Sequence, residues 1–281
     1  MPKPTPQPGN GDLPKLTLTA ADSAGAEIYL HGAHVTSWTP SGGGEVFFLS
    51  PKAEFRPGAA IRGGAPVIFP QFASMGPLPK HGFARSRAWD FVDAADDWAT
   101  LRLVEDEASL SVWPHAFELL YTVRVGGPTL EMTLKVSNPG PGAFSFAAAL
   151  HTYLRVDNLQ QVAVHGLQGL RFSDSANGEK ESSQSEEQLT FPGEIDRIYF
   201  NVPGPLEIRA REPRPYQTMR VEQSGFTDVV TWNPGPEKCA ALKDMQPDGY
   251  LNFVCIEAGL IEKPVTLVAG ESWLGTQRLV V

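Results

Sequence analysis

Two consecutive runs with a period of two constrain this chain more than any other feature. Phe117, Leu119, Tyr121, Val123 and Val125 fall on one side of the first run. Leu130, Met132, Leu134 and Val136 fall on one side of the second, with Glu131, Thr133 and Lys135 between them. Successive side chains of a strand point to opposite faces, so sustained strict alternation specifies a half-buried β-strand. Gly126-Gly127-Pro128 joins the two runs, and a short Gly/Pro connection between alternating segments predicts a hairpin. The pattern recurs at 99–103. Further strand candidates are 27–30, 46–49, 89–92, 144–156, 162–166, 206–209, 219–223, 229–232, 253–258, 265–268 and 276–281. No segment carries a sustained helical stripe with caps at both ends. Many short strands with Gly/Pro turns and few short helices predict an all-β, mainly antiparallel sandwich.

Composition narrows the function more than the fold. The chain has 281 residues, 42% hydrophobic and 20% charged, a globular balance. Residues 1–14 are rich in Pro, Gly and polar side chains and are expected to be a flexible leader, with 15–281 forming one β-sandwich domain. They hold no apolar core of a secretory signal, and no apolar run approaches the roughly 20 residues of a membrane helix, so a cytoplasmic protein without membrane contact is expected. The net charge of −9 argues against nucleic-acid binding, which needs a basic face. Nothing marks an interface, and a monomer is expected. Cys239 and Cys255 read as two buried or half-buried thiols, since no CxxC is present. The acidic, Ser-rich stretch 173–188 reads as a solvated loop.

Several chemistries lack their motif. GxxxxGK[ST], a helix-opening GxGxxG, GxSxG and HExxH are all missing, so no cofactor or metal is expected. His31 and His34 lie three apart, which on a strand puts them on opposite faces, unsuited to sharing a metal.

Four features stand out instead. Residues 51–90 carry six cations (Lys52, Arg56, Arg62, Lys80, Arg85, Arg87) against Glu54 and Asp90, a local +4 that leaves −13 on the rest of the chain. Such an island can focus a small anion, and forked arginine donors match a phosphate. Glycines in 58–66 would let the backbone approach that ligand. His151 shares a strand face with Tyr153 and Arg155 and can exchange a proton near neutral pH. Glu257 is embedded in the apolar run Phe253-Val254-Cys255-Ile256-Glu257-Ala258, where a carboxylate is costly unless paired or used. His81 and Asp196 are polar residues among apolar neighbours. Each has an ordinary alternative, as surface ion pair, structural histidine or turn residue.

In order and spacing, these segments together resemble the hexose-6-phosphate mutarotase (glucose-6-phosphate 1-epimerase) family, within the galactose-mutarotase-like β-sandwich superfamily. The carrying segments are Gly32-Ala-His-Val-Thr-Ser-Trp38, Ile61-Arg-Gly-Gly-Ala-Pro-Val-Ile-Phe-Pro-Gln-Phe72, His81-Gly-Phe-Ala-Arg85, Leu150-His-Thr-Tyr153, Asp196-Arg-Ile-Tyr199, Val230-Thr-Trp-Asn-Pro234 and Cys255-Ile-Glu-Ala-Gly259. The resemblance runs over 16–279. It implies cofactor-free interconversion of the anomers of a hexose 6-phosphate, with Glu257 as general base and His151 as general acid. It further implies that His81, Asp196 and Gln71 serve the sugar and that Arg62 and Arg85 hold the phosphate. Gly235 departs from the pattern, where a bulkier residue after Trp-Asn-Pro is expected. A mutarotase for unphosphorylated aldoses and a non-catalytic sugar-binding module are the alternatives, since fold alone does not fix function.

Overall fold

The computed structural model describes residues 3–211 and 216–281. Alternation decides the architecture as the sequence predicts. Glu118–Gly126 and Thr129–Ser137 pair antiparallel, Gly126 opposite Thr129, and Leu119, Tyr121, Val123, Leu130, Met132, Leu134 and Val136 are all fully buried. They sit in a nine-stranded sheet. Facing it across one apolar core is an eight-stranded sheet, which contributes Phe146, Leu150, Leu154, Val254, Ile256 and Ala258. A four-stranded sheet, residues 7–8, 14–19, 25–29 and 34–39, closes one flank and adds Leu16, Leu18, Ile28 and Trp38 to the same core. Every ladder between named strands is antiparallel among the described residues, and α-helix is confined to Glu107–Val112 and Gly235–Ala241. None of the described helices is long and apolar enough to cross a membrane.

The eight-stranded sheet has two apolar faces, and this positions the site. Residues 254, 256 and 258 of the long strand Phe253–Leu267 point into the sandwich core. Phe253 and Cys255 point the other way, into a second cluster with Ile68, Tyr153, Ile198, Val230 and Trp232. A strand buried on both faces loses its simple alternation, which explains the near-continuous apolar run around Glu257.

Four segments depart from expectation. Residues 144–156 are two strands, Phe144–Leu150 and Tyr153–Arg155, with His151 and Thr152 in the gap. The His151 amide still donates to Pro66 O, one step beyond the Leu150–Val67 pair, but the Thr152 amide folds back to Leu150 O and ends the strand. Residues 46–49 make isolated bridges, Phe47 to Leu154 and Leu49 to Gly63, instead of a ladder strand. The stretch 173–188 is not a solvated loop: Arg171–Asp174 and Lys180–Ser183 pair as a hairpin that extends the eight-stranded sheet, and Gln188–Leu189 edges the nine-stranded one. Its polar surface reflects an edge position, where one side of the strand stays in water. Within the expected leader, Gln7–Pro8 pairs with Pro14 and Lys15.

Candidate active site

Register builds the site. Across the outer face of the eight-stranded sheet, Asp196 lies opposite Trp232, Trp232 opposite Cys255 and Cys255 opposite Tyr153. These four form one row. Two residues along each strand, hence on the same face, Ile198 lies opposite Val230 and Val230 opposite Glu257. The antiparallel continuation of this second row is position 151. Loop residues and the helix Gly235–Ala241 wall the two rows into a cavity of about 400 Å³.

Glu257 and His151 meet on its floor. Glu257 is 1% exposed and His151 7% exposed. Nδ1 of His151 stands 3.2 Å from Oε1 of Glu257, in contact but out of hydrogen-bond alignment. Both Nδ1 and Glu257 Oε2 are buried without a hydrogen-bond partner. Burial therefore pushes the Glu257 carboxyl well above the usual range, with the charge of Asp196 adding to it. Burial likewise pushes His151 well down, reinforced by His81, Arg85 and Arg62. The imidazole is fixed by rings. Tyr153 stacks on it at 4.8 Å and 7°, while His81 and Trp232 meet it edge-on, each at 5.6 Å.

His81 and Asp196 stand on either side. His81 adopts φ +67° and its Nδ1 accepts the Ala73 amide hydrogen at 3.2 Å, which leaves the ring proton on Nε2. Burial and the Arg85, Lys80 and Arg62 charges hold its pKa near 2, so it is a neutral donor. Asp196 is pushed up to about 6 by burial, against the opposing pull of Lys238 and Lys80, with Lys238 Nζ 3.8 Å away.

Four cations line the same cavity: Arg62, Lys80, Arg85 and Lys238. Arg62 is braced by Asp244, whose Oδ2 accepts from Nε at 3.1 Å, and by the Tyr153 hydroxyl at 3.0 Å. Arg85 donates to Lys80 O, and among the described residues neither Arg85 nor Lys80 has a carboxylate ion-pair partner. Burial lowers the pKa of both, reinforced by the neighbouring cations, Lys238 above all for Lys80 and Arg62 for Arg85. Crowded, partly desolvated cations of this kind gain from a bound anion.

Of the residues singled out from sequence, His151, Glu257, His81, Asp196, Arg62 and Arg85 all line this cavity. Gln71 does not. Its amide donates to Ala73 O and Leu78 O and accepts from the Leu78 amide, so it fastens the loop 73–78 beside the cavity. The glycines near Arg62 serve chain packing rather than a ligand. A Cβ on Gly63 or Gly64 would come within 2.3 Å of Phe48 O or 2.2 Å of Val35 O, and both residues have positive φ. Gly235 likewise has φ +62° and touches Glu194, which excludes the bulkier residue expected there. His31 and His34 are buried and hold Ala59 O and Gly63 O. Sequence reasoning missed Lys238 and the aromatic walls Trp232 and Phe72. Trp232 and Phe72 both lie within segments that carry the family resemblance. Lys238 had no local signal, since only the fold of its helix against Ile195–Tyr199 brings it to Asp196.

A profile of the family described as aldose 1-epimerase matches residues 14–280. A Cenchrus ciliaris protein that bears the name "Putative glucose-6-phosphate 1-epimerase" is 36% identical over 275 residues, 94% of this chain and 83% of the relative. An Escherichia coli protein of the same name is 38% identical over 253 residues, 87% of this chain and 83% of the relative. The crystal structure of a Salmonella typhimurium protein described as a "putative mutarotase" superposes with a TM-score of 0.89 at 33% identity, covering 100% of this chain and 94% of that one.

Proposed function

The chain belongs to the aldose 1-epimerase family, and from that premise we propose that it interconverts the α and β anomers of a hexose 6-phosphate, glucose 6-phosphate foremost. The observation that carries this reading is the contact of His151 with Glu257 in a cavity lined by four cations. The names of the relatives point the same way.

The two proton carriers suit a reaction at one carbon. O1 and the ring oxygen O5 are both bonded to C1, so the groups that serve them must stand within a few ångströms of each other, as Nδ1 and Oε1 do. Glu257 takes the hydrogen of the O1 hydroxyl as the C1–O5 bond breaks, and His151 gives a proton to O5. The aldehyde turns about C1–C2, and the ring closes on the other face of C1 with the proton roles reversed. The pair holds one exchangeable proton throughout. Burial favours the neutral form of both groups at rest, with that proton on Glu257. The reacting form is its tautomer, carboxylate beside imidazolium, which an anionic substrate favours by attracting the cationic ring. His81, through Nε2–H, and Asp196, through its carboxylate, hold sugar hydroxyls. Arg62, Arg85, Lys80 and Lys238 hold the phosphate, as the charge of the cavity suits.

Magnetisation exchange between the anomeric NMR signals, run with glucose 6-phosphate and with free glucose, tests this reading. Exchange of glucose 6-phosphate should be accelerated far more than that of glucose. Arg85→Ala should raise KM for the phosphorylated sugar by about 10–100-fold, the value of one charge-assisted contact, and leave glucose exchange unchanged. Equal acceleration of both sugars, with equal loss in the variant, would instead assign the unphosphorylated aldoses. No acceleration of either would leave a sugar-binding module.

A further inference from the structure

Cys255 lies beside the acid/base pair and has no part in the ring-opening reaction. It shares the outer face of the strand Phe253–Leu267 with Glu257, two residues away, and is fully buried between Tyr153 and Trp232 on the flanking strands. A ring nitrogen of His151, Sγ of Cys255 and a carboxylate oxygen of Glu257 all lie within 4.8 Å of one another. Two polar atoms of this cluster, His151 Nδ1 and Glu257 Oε2, are buried with no hydrogen-bond partner. A fully buried thiol could be apolar filler alone. Unsatisfied nitrogen and oxygen donors converging on it make more of it.

We propose that His151, Cys255 and Glu257 form an inhibitory site for a thiophilic divalent cation of the Zn²⁺ class. Imidazole, thiolate and carboxylate are the donors that Zn²⁺ selects, and three protein ligands with one open position are a common arrangement. With metal–ligand bonds of about 2.0–2.3 Å, tetrahedral donors stand about 3.3–3.6 Å apart. The nitrogen–oxygen edge is already 3.2 Å. The edges to sulfur are at most 4.8 Å and need to close by no more than about 1.2–1.5 Å. His151 and Glu257 line the cavity, which leaves the fourth position open toward it. Binding sends the thiol proton and the carboxyl proton of Glu257 to solvent, because the ligands coordinate deprotonated. Coordination also occupies both groups that move protons in the reaction, so a filled site cannot turn over. This inhibition rests on the function proposed above; binding of the ion does not.

Co²⁺ is the probe, titrated into the full-length protein. The expected result is a thiolate-to-cobalt charge-transfer band in the near ultraviolet with intense tetrahedral visible bands, bleached by Zn²⁺. Cys255→Ala should abolish the charge-transfer band and weaken the ion at least 10-fold. His151→Ala, read against an unchanged circular dichroism spectrum, should weaken it similarly while keeping the sulfur band. In the exchange assay, Zn²⁺ should stop turnover at the concentration that fills the site, and a chelator should restore it. Absence of a sulfur band in wild-type protein at millimolar Co²⁺, or its persistence in Cys255→Ala, overturns the metal site and leaves the mutarotase reading intact. A full sulfur band with unimpaired turnover upholds binding and overturns both inhibition and the roles given to His151 and Glu257.

Discussion

Replacing Asp196 by asparagine should stabilise the fold and slow the enzyme, and the two effects can be read separately. The side chain is about a quarter exposed, and burial lifts its pKa from 3.8 to about 6. The unfolded chain keeps the ordinary value. Two units at about 1.4 kcal/mol each set the cost of the ionised carboxylate in the folded state on the order of 2–3 kcal/mol. The sign follows from proton binding. The folded state holds the Asp196 proton more tightly than the unfolded state does, so this group's stability is fully present below about 3.8 and is lost as pH rises through about 6. Asparagine mimics the protonated form at every pH. Paired urea denaturations should therefore show Asp196→Asn more stable than wild type by about 2–3 kcal/mol at pH 8, with the gap shrinking through pH 5 and closing near pH 3.5. Titrating groups that do not feel the Asp196 charge cancel in the difference; Glu257 and Lys80, which do feel it, add to the pH dependence of the gap. Meanwhile kcat/KM for glucose 6-phosphate should fall by about 10–100-fold, the loss of one charged acceptor to a sugar hydroxyl. A gap that is negative at pH 8, or independent of pH, would refute the argument from burial.

Three further substitutions separate chemistry, anion binding and loop support. Glu257→Gln should reduce kcat on the order of 10²–10⁴-fold, read by NMR exchange, with a circular dichroism spectrum unchanged, because glutamine keeps the shape and removes the proposed base. Arg62→Ala should raise KM and also lower stability by about 1–3 kcal/mol in urea, because Asp244 and the Tyr153 hydroxyl lose their partner; Arg85→Ala, whose side chain pairs with no carboxylate among the described residues, should raise KM alone. Gln71→Ala removes three hydrogen bonds to the loop 73–78, so limited proteolysis should cut there faster and kcat/KM should fall by the same factor for phosphorylated and free sugar. A phosphate-specific effect of Gln71→Ala would show instead that its amide serves the ligand.

The sandwich was legible because alternation is a local signal with one physical cause. Leu119 to Val125 and Leu130 to Val136 face one core and meet water on the other side, so burial writes a period of two into the sequence. The signal fails where that condition fails. After His151 the strand is interrupted, since the Thr152 amide folds back to Leu150 O, and no side-chain pattern reports a backbone hydrogen bond. In 173–188 the hairpin lies at a sheet edge, so its polar residues look the same as those of a loop.

The site was half legible for a different reason. His81, His151, Asp196 and Glu257 were visible as polar residues in apolar surroundings, because burying them needs a compensating use. His81 comes from a turn, but what brings the others together is register, and register belongs to pairs of strands rather than to any one of them. Asp196, Trp232, Cys255 and Tyr153 form one row only because their ladders set 196 opposite 232, 232 opposite 255, and 255 opposite 153. A slip of one residue in the pairing with Asp228–Asn233 would turn Glu257 from the cavity into the sandwich core, among Val254 and Ile256, where none of the described buried residues is a Lys or Arg. The cost of an unpaired carboxylate in that core then works against the slipped pairing. The polar residues of the cavity thus help specify the sheet that assembles them, which is why a carboxylate such as Glu257 can lie on a central strand of the molecule.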